Sequence, residues 1–134
     1  MYNLFQKKWY NFHVIKVLVV EDDEAIRRAI VDELRLDKFS VSEAEDGEEA
    51  LSKVVSFKPD LIILDVILPK VNGLEVLKKI RSNPLFAETK VVVFTNIDAD
   101  DKIIEEISSL NPCFFFNKAG LNLSELPDKI RACF

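Results

Sequence analysis

Short apolar runs and amphipathic segments alternate along this chain from Ile15 to its C-terminus. The apolar runs have the length and β-branched content of strands, whereas the segments between them repeat apolar residues at helical spacing. Parallel strands need crossover connections, so five strands alternating with five helices predict a parallel, doubly wound α/β sheet with helices on both faces. The predicted strands are 15–20, 39–44, 61–64, 90–95 and 113–116.

Local signals mark the edge of this sheet and the ends of several helices. The second predicted strand alternates apolar and polar residues, which is typical of an edge strand. Asp46 and Asn72 precede the second and third helices and are predicted to cap them, and Asn83-Pro84 is predicted to end the third. The predicted buried face of that third helix consists of Leu74, Leu77 and Ile80.

The chain of 134 residues is long enough for one domain with its own core, which we place at 15–134. Residues 1–14 precede the regular pattern and are rich in aromatic side chains. Because exposed aromatic residues tend to find a covering surface, these residues are predicted to form a partly ordered N-terminal extension.

Composition excludes several classes of function. The formal net charge is -5 and the basic residues are scattered, so no direct nucleic-acid partner is expected. No apolar run approaches the roughly 18 residues of a membrane span, so no membrane partner is expected. Cys113 and Cys133 indicate neither a disulfide framework nor a CxxC metal site, which favours a reducing, cytoplasmic setting. The single His13 leaves no His-based metal site and no Ser/His triad.

Polar side chains follow four of the five predicted strands. Glu21 and Asp22 follow the first, Asp65 follows the third, Thr95 ends the fourth, and Lys118 follows the fifth. In a doubly wound sheet the functional crevice lies beyond these carboxyl ends. Each residue alone has an ordinary interpretation as a helix start, a strand residue or a surface lysine. Their joint placement at one edge of the sheet favours a functional site.

The chemistry of this set points to phosphoryl transfer. Three carboxylates in one crevice repel one another and need a cation, and oxygen ligands favour a hard divalent ion such as Mg²⁺. The hydroxyl of Thr95 and the ammonium group of Lys118 would cradle phosphoryl oxygens opposite the metal. Asp65 would then be the nucleophile that accepts the phosphoryl group.

Four stretches together resemble the receiver domain of response regulators in two-component signalling. They are Val17–Asp23, Ala44–Leu51, Pro59–Asp65 and Leu68–Arg81. The resemblance implies a flavodoxin-like fold with strand order 2-1-3-4-5. It also implies that a histidine kinase or phosphotransfer protein donates a phosphoryl group in a phosphorelay. Such a domain is no enzyme in the usual sense, because it catalyses only its own phosphorylation and slow dephosphorylation.

The resemblance assigns roles position by position. Asp65 matches the phosphoacceptor, Asp22 a direct metal ligand, and Glu21 an acidic partner acting through water. The backbone carbonyl of Ile67 matches the third protein ligand of the metal. A second set, which would sense the phosphoryl group and switch the surface, consists of Thr95, Lys118 and the aromatic residue Phe115.

The chain departs from the family pattern at three places. Ala119 stands where the family usually has proline after the lysine, so a trans Lys118-Ala119 bond or a rearranged loop is expected. Asn96 is bulkier than the usual residue after Thr95 and is expected to narrow the entrance. Ile67 and Ile97 stand where fast-cycling members carry polar side chains, which predicts slow self-dephosphorylation.

Three other functions are compatible with parts of this pattern. A pseudo-receiver, which binds proteins without being phosphorylated, is favoured by Asn96 and Ala119 and opposed by the intact acidic and phosphoryl-binding set. A dehalogenase-like phosphatase would need a second aspartate at the position of Ile67. Flavin binding would need a glycine- and hydroxyl-rich loop after the first strand. No segment after the last helix resembles a DNA-binding domain, so we predict a stand-alone receiver with output through a downstream protein target; the alternative is a fragment of a longer regulator.

Overall fold

The computed structural model describes residues 13–96, 101–120 and 122–134. The strands are β1 (Lys16–Val20), β2 (Ser40–Ala44), β3 (Leu61–Leu64), β4 (Lys90–Thr95) and β5 (Phe114–Asn117). All four neighbouring pairs are parallel, and the strand order is β2-β1-β3-β4-β5. The predicted doubly wound sheet, its strand order and the edge position of the second strand are confirmed.

Five α-helices lie among the described residues. They are α1 (Glu24–Leu36), α2 (Gly47–Phe57), α3 (Gly73–Ser82), α4 (Asp101–Ser109) and α5 (Leu126–Arg131). The predicted caps are present: the Asp46 carboxylate accepts a hydrogen bond from the Glu49 N–H at 2.8 Å, and the Asn72 side chain accepts one from the Leu74 N–H at 2.9 Å. Short 3₁₀ turns at Lys118–Gly120 and Leu123–Glu125 lead into α5.

The core has two layers, one on each face of the sheet. Ile62 and Leu64 of β3 pack toward α2, α3 and α4, whereas Leu61 and Ile63 pack toward α1 and α5. All four residues of β3 are buried because this strand lies in the middle of the sheet and is covered on both faces.

The buried face of α3 differs from the prediction. Val76 is fully buried together with Leu77 and Ile80, whereas Leu74 is only partly buried. The helix begins at Gly73, which is itself buried, so the inward face follows the positions three, four and seven residues after this glycine.

The prediction that the cysteines form no disulfide was wrong. Cys113, just before β5, and Cys133, just after α5, form a disulfide with a Cα–Cα distance of 5.9 Å. The two residues are 20 positions apart in sequence and meet because α5 packs back along the edge of the sheet. The cysteines therefore give no support to a reducing setting.

The N-terminal part of the described chain is tied to the start of the sheet. The Asp60 carboxylate lies 3.1 Å from the His13 ring and accepts a hydrogen bond from the Lys16 N–H at 2.8 Å. Most of the predicted extension, residues 1–12, lies outside the described residues, as does Ile97. No helix in the described part of the chain is long and apolar enough to span a membrane.

Candidate functional site

The register of the sheet brings the ends of β1 and β3 side by side. Val20 pairs with Leu64, and the Asp65 N–H donates a hydrogen bond to the Val20 carbonyl at 3.1 Å. Glu21 and Asp65 therefore leave neighbouring parallel strands at the same level, which sequence reasoning predicted from their positions after apolar runs.

Three carboxylates converge at this edge. Oxygen atoms of Glu21, Asp22 and Asp65 all lie within 4.8 Å of one another. Glu21 and Asp65 are buried, whereas Asp22 is exposed. The arrangement places two carboxylates in the crevice floor and one at its rim, open to solvent.

Lys118 reaches into the crevice from the end of β5. Its Nζ lies 2.7 Å from Asp65 Oδ2 and also contacts Glu21 Oε1. Burial lowers the pKa of Lys118, but its hydrogen bonds to Asp65 and Glu21 outweigh burial and raise that pKa overall. The lysine therefore stays charged and offsets part of the carboxylate repulsion.

The electrostatics of Glu21 are dominated by its burial. Desolvation raises the pKa of this carboxyl group to about 7, with Asp65 raising it further and the hydrogen bond from Lys118 opposing the shift. The hydrogen bond from Lys118 thus does not fully offset the cost of burying the Glu21 carboxylate beside Asp65.

Two buried polar atoms in the crevice make no hydrogen bond with any described residue: Glu21 Oε2 and the hydroxyl oxygen of Thr95. Thr95 is fully buried at the end of β4. An unpartnered carboxylate oxygen beside two further carboxylates fits a hard divalent cation. An unpartnered hydroxyl fits a ligand that supplies an acceptor oxygen.

The loop after β3 fixes the Asp65 carboxylate. The Ile67 N–H donates a hydrogen bond to Asp65 Oδ1 at 2.9 Å, and the Gly73 N–H donates one to the Val66 carbonyl at 3.0 Å. A Cβ atom at Gly73 would lie 2.0 Å from the Asp65 carbonyl oxygen. Sequence reasoning used Asn72 as a cap but missed this close approach, for which the Asn72-Gly73 pair was the available signal.

A second residue that sequence reasoning missed is Arg27 of α1. Its Nη1 donates a hydrogen bond to the Glu21 carbonyl at 2.8 Å, and its Nε contacts the Glu43 carboxylate at 3.2 Å. No local pattern predicts the contact with Glu43, because it depends on how α1 packs against the end of β2.

The remaining predicted site residues lie in β5 or shortly after β3, β4 and β5. The Lys118-Ala119 peptide bond is trans, as predicted, and the Ala119 N–H donates a hydrogen bond to the Asn117 side chain at 3.0 Å. Asn96 is exposed, and so is Phe115, with 41% of its surface accessible. Phe114 and Phe116, on either side of it, are partly buried and pack against the core. The metal-ligand role of the Ile67 carbonyl stays a prediction.

The structure therefore assigns the chain to the class of doubly wound α/β proteins with an acidic crevice at the carboxyl edge of the sheet. Comparisons with known proteins identify the family. The family model of the response regulator receiver domain matches residues 17–130. The response regulator MprA of Mycolicibacterium vanbaalenii is 36% identical over 97 residues, which are 72% of this chain and 40% of that protein. The chain therefore belongs to the response-regulator receiver family.

Solved structures agree with this assignment. The chemotaxis response regulator CheY4 of Vibrio cholerae has a TM-score of 0.81 and 27% identity, over 91% of this chain and 100% of that one. The Mn²⁺-bound form of the response regulator Rcp1 has a TM-score of 0.71 and 27% identity, over 89% of this chain and 88% of that one. The chain spans only about 40% of the length of the MprA relatives.

Proposed function

We propose that this domain accepts a phosphoryl group on Asp65 from a histidine kinase or phosphotransfer protein, with Mg²⁺ bound in the crevice. The observation that carries the proposal is the convergence of three carboxylates within 4.8 Å, with Lys118 Nζ at 2.7 Å from Asp65. A structural salt bridge would account for Lys118 but not for the unpartnered buried oxygen atoms of Glu21 and Thr95.

The residues that would hold the metal are Glu21, Asp22, Asp65 and the backbone carbonyl of Ile67. Mg²⁺ would neutralise the phosphoryl charge that develops during transfer. This assignment is supported by the structure of the response regulator Rcp1, which is in a Mn²⁺-bound form.

In the transfer step, a carboxylate oxygen of Asp65 attacks the phosphorus atom of the donor. An O–P bond forms as the P–N bond to the donor histidine breaks, and the electron pair returns to the histidine nitrogen. The Ile67 N–H donates a hydrogen bond to Asp65 Oδ1 and Lys118 Nζ lies 2.7 Å from Oδ2, so both oxygen atoms are oriented before the reaction. Lys118 would then pair with a phosphoryl oxygen instead.

The phosphoryl group would also give Thr95 its missing partner. The buried hydroxyl would donate a hydrogen bond to a phosphoryl oxygen, and movement of Thr95 would let the exposed Phe115 turn inward. This change would reshape the surface formed by α4, β5 and α5, where a downstream protein target would bind.

The lifetime of the phosphorylated state follows from the residues at the rim. Ile67 is apolar and exposed beside Asp65, so it offers no polar group to orient a hydrolytic water. We therefore expect slow self-dephosphorylation, and rapid hydrolysis of the purified phosphoprotein would contradict this part of the proposal.

The proposal also includes the setting in which the domain works. We propose that it is located in the cytoplasm, where it would meet the kinase that phosphorylates it.

The proposal is tested by locating the modified residue. The chain is incubated with acetyl phosphate and Mg²⁺ and then treated with borohydride, which reduces an aspartyl phosphate to homoserine. Tandem mass spectrometry of the digested protein is expected to find homoserine at position 65. Homoserine at Asp22 or Asp60 and not at Asp65 would overturn the proposed acceptor.

A further inference from the structure

Arg27 links the helix α1 to the main chain of the acidic site. The side chain is only 11% exposed, and its two contacts are the Glu43 carboxylate at the end of β2 and the Glu21 carbonyl at the end of β1. A planar guanidinium group can hold two such partners in fixed directions at once.

This contact completes the anchoring of Glu21. The Glu21 N–H donates a hydrogen bond to the Ala44 carbonyl at 3.0 Å, and the Glu21 carbonyl accepts the bond from Arg27 at 2.8 Å. Both peptide groups of Glu21 are therefore fixed. Because the Glu21 carbonyl shares a peptide plane with the Asp22 N–H, the bond from Arg27 also sets the direction in which Asp22 leaves the strand.

The neighbouring Arg28 provides a natural comparison. It also contacts Glu43, at 3.1 Å, but its side chain is 50% exposed and its contact is with Oε2 of that carboxylate, whereas Arg27 contacts Oε1. The two arginines thus carry the same charge and share one partner, whereas the bond to the Glu21 carbonyl is made by Arg27.

We propose that Arg27 is a positioning residue for the divalent cation: it holds the main chain so that the carboxylates of Glu21 and Asp22 point together into the crevice. This inference rests on the proposed function, since it assumes that the crevice binds Mg²⁺. Outer partners that orient metal ligands commonly contribute about 10- to 100-fold to metal affinity.

If Arg27 acted through its charge alone, its removal would change the Mg²⁺ affinity in the opposite direction. A guanidinium group near the crevice repels a divalent cation, so removing its charge would strengthen Mg²⁺ binding. Loss of orientation would weaken binding instead. The direction of the change therefore separates the two explanations.

The test is the Mg²⁺ affinity of the purified chain, measured by isothermal titration calorimetry for the parent, Arg27→Met, Arg28→Met and Arg27→Lys. Thermal unfolding in EDTA is recorded for each protein to establish that it is folded at the titration temperature. We expect about tenfold weaker binding for Arg27→Met and an unchanged affinity for Arg28→Met. Arg27→Lys, which keeps the charge but not the planar fork, should also bind more weakly than the parent.

Several outcomes would overturn the positioning role. They are unchanged or tighter binding by Arg27→Met, and equal weakening by Arg27→Met and Arg28→Met. If Arg27→Met does not fold, the Mg²⁺ affinity of Arg27→Lys tests the inference instead. An affinity equal to that of the parent would then overturn it. A parent that binds no Mg²⁺ overturns the proposed metal site and this inference together. If the parent binds Mg²⁺, the results for the variants test only the positioning role of Arg27.

Discussion

At the scale of single residues, the crevice depends on groups that contribute no chemistry of their own. Gly73 is the clearest case, because helix α3 begins against the backbone of Asp65 and Val66. A Cβ atom at this position would lie 2.0 Å from the Asp65 carbonyl oxygen and 2.5 Å from the Val66 Cα. These atoms belong to the backbone, so neither can move aside as a flexible side chain would.

Gly73→Ala is therefore expected to lower the free energy of unfolding by about 3 kcal/mol, near the upper range for overpacking. It should also slow phosphorylation, because relief of the clash moves Asp65. Urea unfolding measures the stability change. Gly120→Ala is the matched control, since a Cβ there meets no atom within 4 Å. Equal stability of the two variants would contradict the close-approach argument.

Asp46 gives a pH dependence whose sign follows from its contacts. The Glu49 N–H and the Lys70 ammonium group lower the pKa of this carboxyl group below its usual 3.8. A pKa lowered by folding means that ionised Asp46 stabilises the fold above the unfolded value, and that this contribution is lost as pH falls through the folded pKa.

Asp46→Asn should therefore keep the helix cap but flatten the loss of Tm at acidic pH, because asparagine caps helices as well as aspartate does. Asp46→Ala should lower the Tm at every pH, since it removes the cap itself. Thermal unfolding followed from neutral to strongly acidic pH tests both expectations. A pH profile of Asp46→Asn that runs parallel to the parent would contradict this assignment.

At the scale of elements, the disulfide between Cys113 and Cys133 ties the base of β5 to the end of α5. These elements belong to the surface that the proposed switch would reshape. The bond spans 20 residues, and closing a loop of this length in the unfolded chain commonly stabilises a protein by about 3 kcal/mol.

Reduction of the disulfide is accordingly expected to lower the Tm by about 10 °C. The double variant Cys113→Ser, Cys133→Ser should unfold near the temperature of the reduced parent and should not respond to reductant. Differential scanning calorimetry with and without dithiothreitol tests this. An unchanged Tm in the parent, with both thiols free after treatment, would show that the disulfide does not stabilise the fold.

Element positions were largely readable from the sequence because each follows from a local signal. The β-branched runs predicted β3 at 61–64 and β4 at 90–95 with the bounds that the structure shows. The inward face of α3 and the disulfide were not predicted. Val76 is buried because α3 begins with Gly73 packed against Asp65 and Val66, and the cysteines pair because α5 folds back along the sheet, so both depend on tertiary packing.

At the scale of the whole molecule, the parallel sheet explains why the site itself was predictable. Residues that follow parallel strands must meet at one edge, so the strand ends alone indicated Asp65, Thr95 and Lys118. The supporting contacts were not predictable in the same way. Arg27 reaches back six residues to the Glu21 carbonyl, but its contact with Glu43 depends on how α1 packs beside the end of β2, which no local sequence pattern indicates.

The molecule as a whole is proposed to bring Mg²⁺ and the acceptor Asp65 together in one crevice. Intact-mass spectrometry after incubation with acetyl phosphate, with and without Mg²⁺, tests this proposal on the parent and on Asp65→Asn. We expect the parent to gain the mass of one phosphoryl group only when Mg²⁺ is present, and Asp65→Asn to gain none. A parent that binds Mg²⁺ but gains no mass, or an Asp65→Asn variant that is modified like the parent, would show that Asp65 is not a Mg²⁺-dependent acceptor.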